Sequence, residues 1–322
     1  MRYAIATILL LSISTMAKYD PDLALNMLHV SGLAYWDAIK IHRSKCNNAT
    51  TLTESIGLKV LRAKDNGKDL DAISYVILEW AKKKKFVVAF SGTHGIKQLI
   101  REFNDGIPVS YSIHPKIKDA LVIKYFYMHY KDEFKAEFIQ VMKYFYNKKK
   151  YSKYDIIFTG HSLGGALAVH AAADFVLTGV GSQNFTDDII KSSFKPYIQV
   201  YTFGQPRIGN SAFNDPVKAK IDEWYRVVHN KDVVVHIPPW IPNFERGCIH
   251  NGSFPFYPYH AAEEIYYDKP FENYKECNQT EGEDPTCSNE NVSDSISDHK
   301  VYFGIRVSHL HRLESQEITL IE

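Results

Sequence analysis

The residue best placed to do chemistry in this chain is Ser162, which lies within the run Gly160-His161-Ser162-Leu163-Gly164-Gly165. Before it, Ile156-Ile157-Phe158 reads as a short apolar strand; after it, the small-residue run from Gly164 to Leu177 reads as a helix. Glycines at 160, 164 and 165 suit a sharp strand-to-helix turn with no room for a Cβ, and such a turn thrusts the intervening hydroxyl outward. The backbone N–H of Leu163 then falls in the first helical turn, where unsatisfied donors and the helix dipole favour a developing oxyanion. The pattern reads as a nucleophile elbow. Its alternative, an ordinary turn with a surface serine, accounts less well for the strand and helix on either side.

A serine hydroxyl is a weak nucleophile near neutral pH, so it needs an imidazole base, and the base needs a carboxylate to fix its tautomer. Around an elbow of this kind the chain order is serine, acid, histidine. Tyr225 to His229 reads as a strand whose C-terminal loop carries Asp232, and strand-end loops are where such sites are assembled. Asp215 and Asp222 are rivals in a polar, helix-like segment. For the base, His236, His250, His260, His299, His309 and His311 all follow Asp232. Spacing alone does not choose among them.

The stretch from Gly160 to Ala168, Gly-His-Ser-Leu-Gly-Gly-Ala-Leu-Ala, resembles the active-site signature of the class 3 (fungal-type) triacylglycerol lipase family at all nine positions. Four further stretches resemble that family in the same order. Val87 to Thr93 ends in the family's oxyanion position, and there the resemblance implies a contact to the oxyanion from the backbone N–H and side chain of Thr93; a capping threonine at a strand end is the plainer reading. Ser91 stands where relatives carry arginine. Thr202 to Asn210 is similar to a structural signature, and Tyr225 to Pro239 to the acid motif, with Val235 in place of its first proline. Finally Asp298-His299-Lys300-Val301-Tyr302-Phe303-Gly304 fits the segment that carries the family's base. The resemblance implies that His299 is the base and Asp232 the acid, with His260, in a strand where relatives have a non-catalytic histidine, as second choice.

His94 to Phe103 places Ile96, Leu99, Ile100 and Phe103 on one helical face, which the resemblance identifies as a lid able to roll apolar side outward at a lipid surface. A surface helix that never moves is the alternative. The resemblance spans roughly Val87 to Gly304. It implies an α/β-hydrolase fold, with a mostly parallel central sheet, helices on both faces and a short amphipathic lid helix. The implied function is a secreted serine esterase or lipase that cleaves acylglycerol esters at a lipid–water interface through an acyl-enzyme. No metal or organic cofactor enters that chemistry. Phospholipase or feruloyl-esterase-like action would use the same residues, and a lipid-binding protein without turnover belongs to another class.

These residues must be held by a sizeable core. With 322 residues, 45% of them hydrophobic and 13% aromatic, the chain is long and apolar enough for one large α/β domain over residues 18–322. A formal net charge of +1 gives no reason to expect a nucleic-acid partner, and nothing in it indicates an oligomeric state. The lysine groups Lys82 to Lys85 and Lys148 to Lys150 read as a basic turn and a solvated helix end, or as a patch for an anionic surface. Residues 1–17 combine a basic start, a short apolar run and small residues, which predicts a signal peptide; no window is apolar for long enough to span a membrane. Cys46, Cys248, Cys277 and Cys287 form an even set without metal-site spacing, and the closeness of Cys277 and Cys287 favours that pair, leaving Cys46 with Cys248. Asn48, Asn184, Asn251, Asn278 and Asn291 begin glycosylation sequons. Amphipathic helices are predicted over Asp20 to Arg43 and Asp132 to Lys150, antiparallel strands over Leu58 to Arg62, Ile73 to Trp80 and Phe86 to Phe90, and an insertion over Ile241 to Tyr257.

Overall fold

In a sheet covered on both sides, alternate residues of every strand must find a core of their own, and this chain supplies two. The computed structural model describes residues 18–35, 56–65, 73–93, 95–97, 100, 111–113, 117–177, 194–238, 258–269, 271–278, 283–290 and 293–308. Their strands are β1 (Leu58–Asp65), β2 (Ser74–Trp80), β3 (Lys85–Phe90), β4 (Tyr111–Ile113), β5 (Leu121–Ile123), β6 (Asp155–His161), β7 (Ile198–Phe203), β8 (Glu223–His229), β9 (Glu263–Tyr267), β10 (Tyr274–Glu276), β11 (Val301–Tyr302) and β12 (Ile305–Arg306). The main sheet runs β1-β2-β3-β6-β7-β8-β9-β10. β3, β6, β7, β8 and β9 are parallel to one another, while β1 and β2 form an antiparallel edge on one side and β10 on the other. Two further pairs, β4 with β5 and β11 with β12, lie outside the main sheet.

Phe86, Val88, Phe90, Ile156, Phe158 and Val200 point into one core, and Val87, Ala89, Ile157, Tyr201, Phe203 and Val227 into the other. The helices are α1 (Pro21–Leu33), α2 (Lys124–Met128), α3 (Ala136–Tyr146), α4 (Leu163–Leu177), α5 (Ser211–Lys218) and α6 (Ile296–His299). Residues of α3 and α4 fill the first core, and residues of α1 fill the second. Helices therefore cover both faces. α1 opens with Asp20 as N-cap, whose Oδ1 accepts from the N–H groups of Asp22 and Leu23 at 3.0 and 3.1 Å, and with a proline at its first position. It ends at Leu33, and the part of its predicted span beyond residue 35 lies outside the described residues.

The helix predicted from Asp132 starts eight residues earlier, at Lys124, and passes through a π-helical stretch at His129–Lys135 before continuing as α3. Its buried residues Phe126, Tyr130, Phe134, Phe138 and Met142 recur every fourth position. In an α-helix each such step overshoots a full turn by about 40°, and a wider π turn takes up that drift, so the stripe stays on the core. The helix ends at Tyr146; Lys149–Tyr151 form a separate 3-10 turn.

In the lid stretch, residues 96, 97 and 100 are helical, with Ile96 and Ile100 buried in the first core and Lys97 exposed. Leu99 and Phe103 lie outside the described residues, as do the leader, Cys46, Cys248, the predicted insertion and the sequons at Asn48, Asn184, Asn251 and Asn291. Cys277 and Cys287 form a disulfide. None of the described helices is long and apolar enough to cross a membrane.

α4 lies so close to the sheet that a Cβ on Gly164 would come within 2.2 Å of the Phe90 carbonyl oxygen. Gly164→Ala is therefore expected to destabilise the protein by about 1–3 kcal/mol through backbone overpacking, read as a lower urea midpoint with an unchanged m value.

Candidate active site

β6 ends at His161, and the chain turns at Ser162 with φ +62°, a left-handed conformation that a residue with a side chain adopts only under constraint. The constraint is visible in the main chain. Ser162 N–H donates to the Phe203 carbonyl at 2.8 Å, and its own carbonyl accepts from Gly165 N–H at 2.9 Å, so sheet and helix grip the turn from both sides. Leu163 opens α4, and its N–H belongs to the first turn, which has no acceptor within the helix.

Asp232 follows the end of β8 and is fully buried. Its Oδ1 accepts from Val234 N–H at 2.7 Å and its Oδ2 from the Tyr302 hydroxyl at 2.6 Å, while His299 Nδ1 sits 3.0 and 2.9 Å from the two oxygens. Burial alone would push this carboxyl up. The adjacent His299, Tyr302 and Val234 N–H outweigh burial and hold it below its ordinary value. An ionised carboxylate only accepts, so His299 Nδ1 carries the hydrogen and Nε2 is the nitrogen turned away from Asp232. That Nε2 and the Ser162 Oγ are both buried without a hydrogen-bond partner.

The turn bearing His299 is held through its main chain. His161 Nε2 donates to the His299 carbonyl at 2.7 Å, and His229 Nδ1 donates to the Asp298 carbonyl at 3.0 Å, so two consecutive carbonyls each rest on a buried imidazole. The His161 ring also stacks on the His299 ring, centroids 4.6 Å apart. His161 Nδ1 accepts from the Tyr35 hydroxyl at 2.8 Å. Burial, and then the neighbouring His299, lower the pKa of His161 to about 3, so it stays neutral. Asp298 Oδ2 accepts from Asn230 Nδ2 at 2.6 Å and its Oδ1 pairs with Lys269 at 2.9 Å, tying the turn bearing His299 to the loop bearing Asp232. Gly204, with φ +59°, passes beneath this pair: a Cβ there would lie 2.8 Å from both Asp232 Oδ2 and His299 Nδ1.

At the end of β3, Thr93 is buried and its Oγ1 accepts from Gly95 N–H at 2.8 Å. Ser91, in the place of the arginine of relatives, accepts from Ser74 N–H at 2.8 Å and donates its own N–H to the Ser74 carbonyl at 2.9 Å. The serine thus fastens this strand end to β2.

Three of the rival residues are occupied elsewhere, while His236 Nε2 is buried without a partner. His260 Nε2 donates to the Val235 carbonyl at 2.8 Å, and burial keeps its pKa well below the ordinary value. Asp215 accepts from the Tyr259 hydroxyl, and Asp222 Oδ2 accepts from Ile198 N–H at 2.8 Å. His250, His309 and His311 lie outside the described residues. Glu264, Cys277 and Cys287 have ligand atoms within 4.8 Å of one another, but the disulfide consumes both sulfurs and leaves no thiolate for a metal. Four residues that hold the site went unassigned in the sequence. Asp298 and Tyr302 flank His299 at fixed spacing, His161 precedes the elbow serine, and Tyr35, far from all of them in the chain, gives no local signal.

The sequence model for lipase (class 3) matches residues 87–241. A lipase of Rhizomucor miehei is 31% identical over 227 residues, covering 69% of this chain and 53% of its own, and a lipase of Caenorhabditis elegans is 33% identical over 184 residues, covering 49% and 46%. The chain thus spans about half the length of these curated relatives. The solved structure of a triacylglycerol lipase whose catalytic centre is a serine protease triad is 25% identical, with a TM-score of 0.69 over 90% of this chain and 96% of that one. The fold is accordingly that of the α/β-hydrolases.

The short bond from Tyr302 to Asp232 stabilises the ionised carboxylate. Tyr302→Phe is expected to cost about 1.5–3 kcal/mol at pH 7. Because the folded-state pKa of Asp232 is depressed, this stability is present above the unfolded value near about 3.9 and is lost as pH falls through the lower folded value. The variant's folded pKa is higher. Urea titrations at pH 7 and pH 3 should therefore show the gap between variant and parent shrinking at the acid end.

Proposed function

We propose that this chain, which belongs to the class 3 lipase family, is a secreted serine esterase that hydrolyses acylglycerol esters. One observation carries the reading: both oxygens of the buried Asp232 face His299 Nδ1, the His299 ring stacks on His161, the residue just before the elbow serine, and His299 Nε2 and the Ser162 hydroxyl are each buried with no other partner. In this reading Ser162 Oγ attacks the ester carbonyl carbon while His299 Nε2 takes its proton. The N–H groups of Leu163 and Thr93 receive the charge that develops on the carbonyl oxygen. The alcohol leaves with the proton from His299, giving an acyl-serine. Water, deprotonated by the same nitrogen, then releases the fatty acid. Asp232 keeps the tautomer and stabilises the imidazolium throughout.

The apolar contacts of Ile96 and Ile100 support a covering segment whose apolar side is buried in water and needs a lipid surface to replace that burial. The signal peptide expected from the sequence, the disulfide and the exposed sequon residue Asn278 support an extracellular destination.

Ser162→Ala and His299→Ala are each expected to lower kcat by about 10^4-fold or more on p-nitrophenyl butyrate, with circular dichroism and melting temperature nearly unchanged. Retained turnover in Ser162→Ala would overturn the assignment. With tributyrin, the parent enzyme should speed up abruptly above the solubility limit of the substrate, and a smooth saturation curve through that limit would remove the interfacial part of the reading.

A further inference from the structure

Ser162 lies at the C-terminal end of β6, and the N-terminal end of that seven-residue strand is about 20 Å away. Three connections meet at that far end. The turn between β2 and β3 carries Lys82, Lys83 and Lys84, all exposed. The link from α3 to β6 carries exposed Lys148, Lys149, Lys150 and Lys153, and the approach to β7 carries exposed Lys195. Backbone and side-chain bonds place them side by side: Asp155 N–H donates to the Lys84 carbonyl at 3.0 Å, Lys150 reaches Glu79 at 2.6 Å, and Tyr197 N–H donates to Asp155 at 2.9 Å.

The acidic groups at this end are already engaged. Glu79 is buried beneath Lys150 and accepts from the hydroxyls of Tyr151 and Tyr154. Glu223 accepts from Tyr197 and Gln199, and Asp222 from Ile198 N–H. The chain as a whole carries a formal charge of only +1, so this cluster is a strong local excess on a nearly neutral molecule.

A second observation points to what fits there. Among the described residues the two exposed large hydrophobic side chains are Tyr144, 58% exposed, and Tyr197, 37% exposed, and both lie within this cluster. Lys148 Nζ stands 4.1 Å from the Tyr144 ring centroid and Lys85 Nζ 5.9 Å from that of Tyr197. The floor beneath is rigid, because the Phe86 ring packs against Phe145, Tyr146, Tyr151 and Tyr154 at 5.2–5.7 Å. Exposed tyrosine rings interleaved with exposed ammonium groups suit a polymer that presents C–H faces and anionic groups along its length. The cations are lysines, point charges that follow spread negative charge without demanding a fixed two-pronged geometry. A bilayer fits less well. Docked by this end, the protein would turn Ser162 away from the membrane it had bound.

We propose that this end of the sheet is a docking surface for an acidic polysaccharide carrying sulfate or carboxylate groups. The chain then anchors to the polymer while the serine end stays open. The surface is independent of the assignment of Ser162, since no residue is shared.

The test uses the full chain and heparin as probe. A variant with Lys82→Gln, Lys83→Gln, Lys84→Gln, Lys148→Gln and Lys149→Gln is compared with the parent at 0.15 M and rising NaCl. The parent should bind heparin and release it with salt, and the variant should bind roughly 100-fold more weakly or worse, with unchanged melting temperature and ester hydrolysis. Should five changes disturb folding, Lys83→Gln with Lys149→Gln supplies a smaller loss of the same sign. Tyr144→Ser, which leaves the charge alone, should also weaken binding. Equal affinity of parent and lysine variants, no binding by the parent at low salt, or tighter binding to phosphatidylserine vesicles or duplex DNA than to heparin would each overturn the proposal.

Discussion

A carboxylate with no access to water has to be surrounded by donors, and at Asp232 this requirement shapes one whole end of the molecule. The donors are His299 and Tyr302, which come from far along the chain, and Val234 N–H, which comes from its own loop. To deliver them, the segment from residue 295 onward must return across the ends of β7 and β8, where Asp232 and Ser295 form an isolated bridge. The crossing leaves no space for a side chain at Gly204. Satisfying one acid thus positions the imidazole, fixes its tautomer and dictates a glycine just past the end of a neighbouring strand.

His299 is held as firmly from behind. α1 packs on the face of the sheet opposite α4, and just beyond its end Tyr35 reaches His161, whose other nitrogen supports the His299 carbonyl. Both layers therefore contribute to one site, α4 through the elbow and α1 through a hydroxyl. A neutral His161 suits this place: a second positive charge stacked on His299 would oppose the imidazolium that the proposed ester cleavage requires.

The elbow could be read directly from residues because its pattern is contiguous and one of its constraints is local: a Cβ on Gly160 would meet Gly164 four positions on, although the demand for glycine at 164 comes from Phe90 in a distant strand. Asp232 followed from its place after a strand. His299 was different, since six histidines follow the acid and a contact across 67 positions leaves no periodic trace; only the resemblance singled it out. Within the same short motif Asp298 and Tyr302 were visible as letters without a role, because their partners Asn230 and Asp232 lie on another loop. The helix start at Lys124 was missed for a geometric reason, as a stripe repeating every four residues drifts off an ideal α-helix and only a π turn brings it back.

The order in which these parts leave the ribosome adds one more consequence. The elbow strand and its helix are made well before the segment bearing His299, and the acid waits in between with no imidazole to pair with. During synthesis the serine is therefore an ordinary alcohol beside an incomplete relay. Under the proposed function, a chain of this design has no assembled acid–imidazole pair beside its serine until the segment bearing His299 has been made and has folded back.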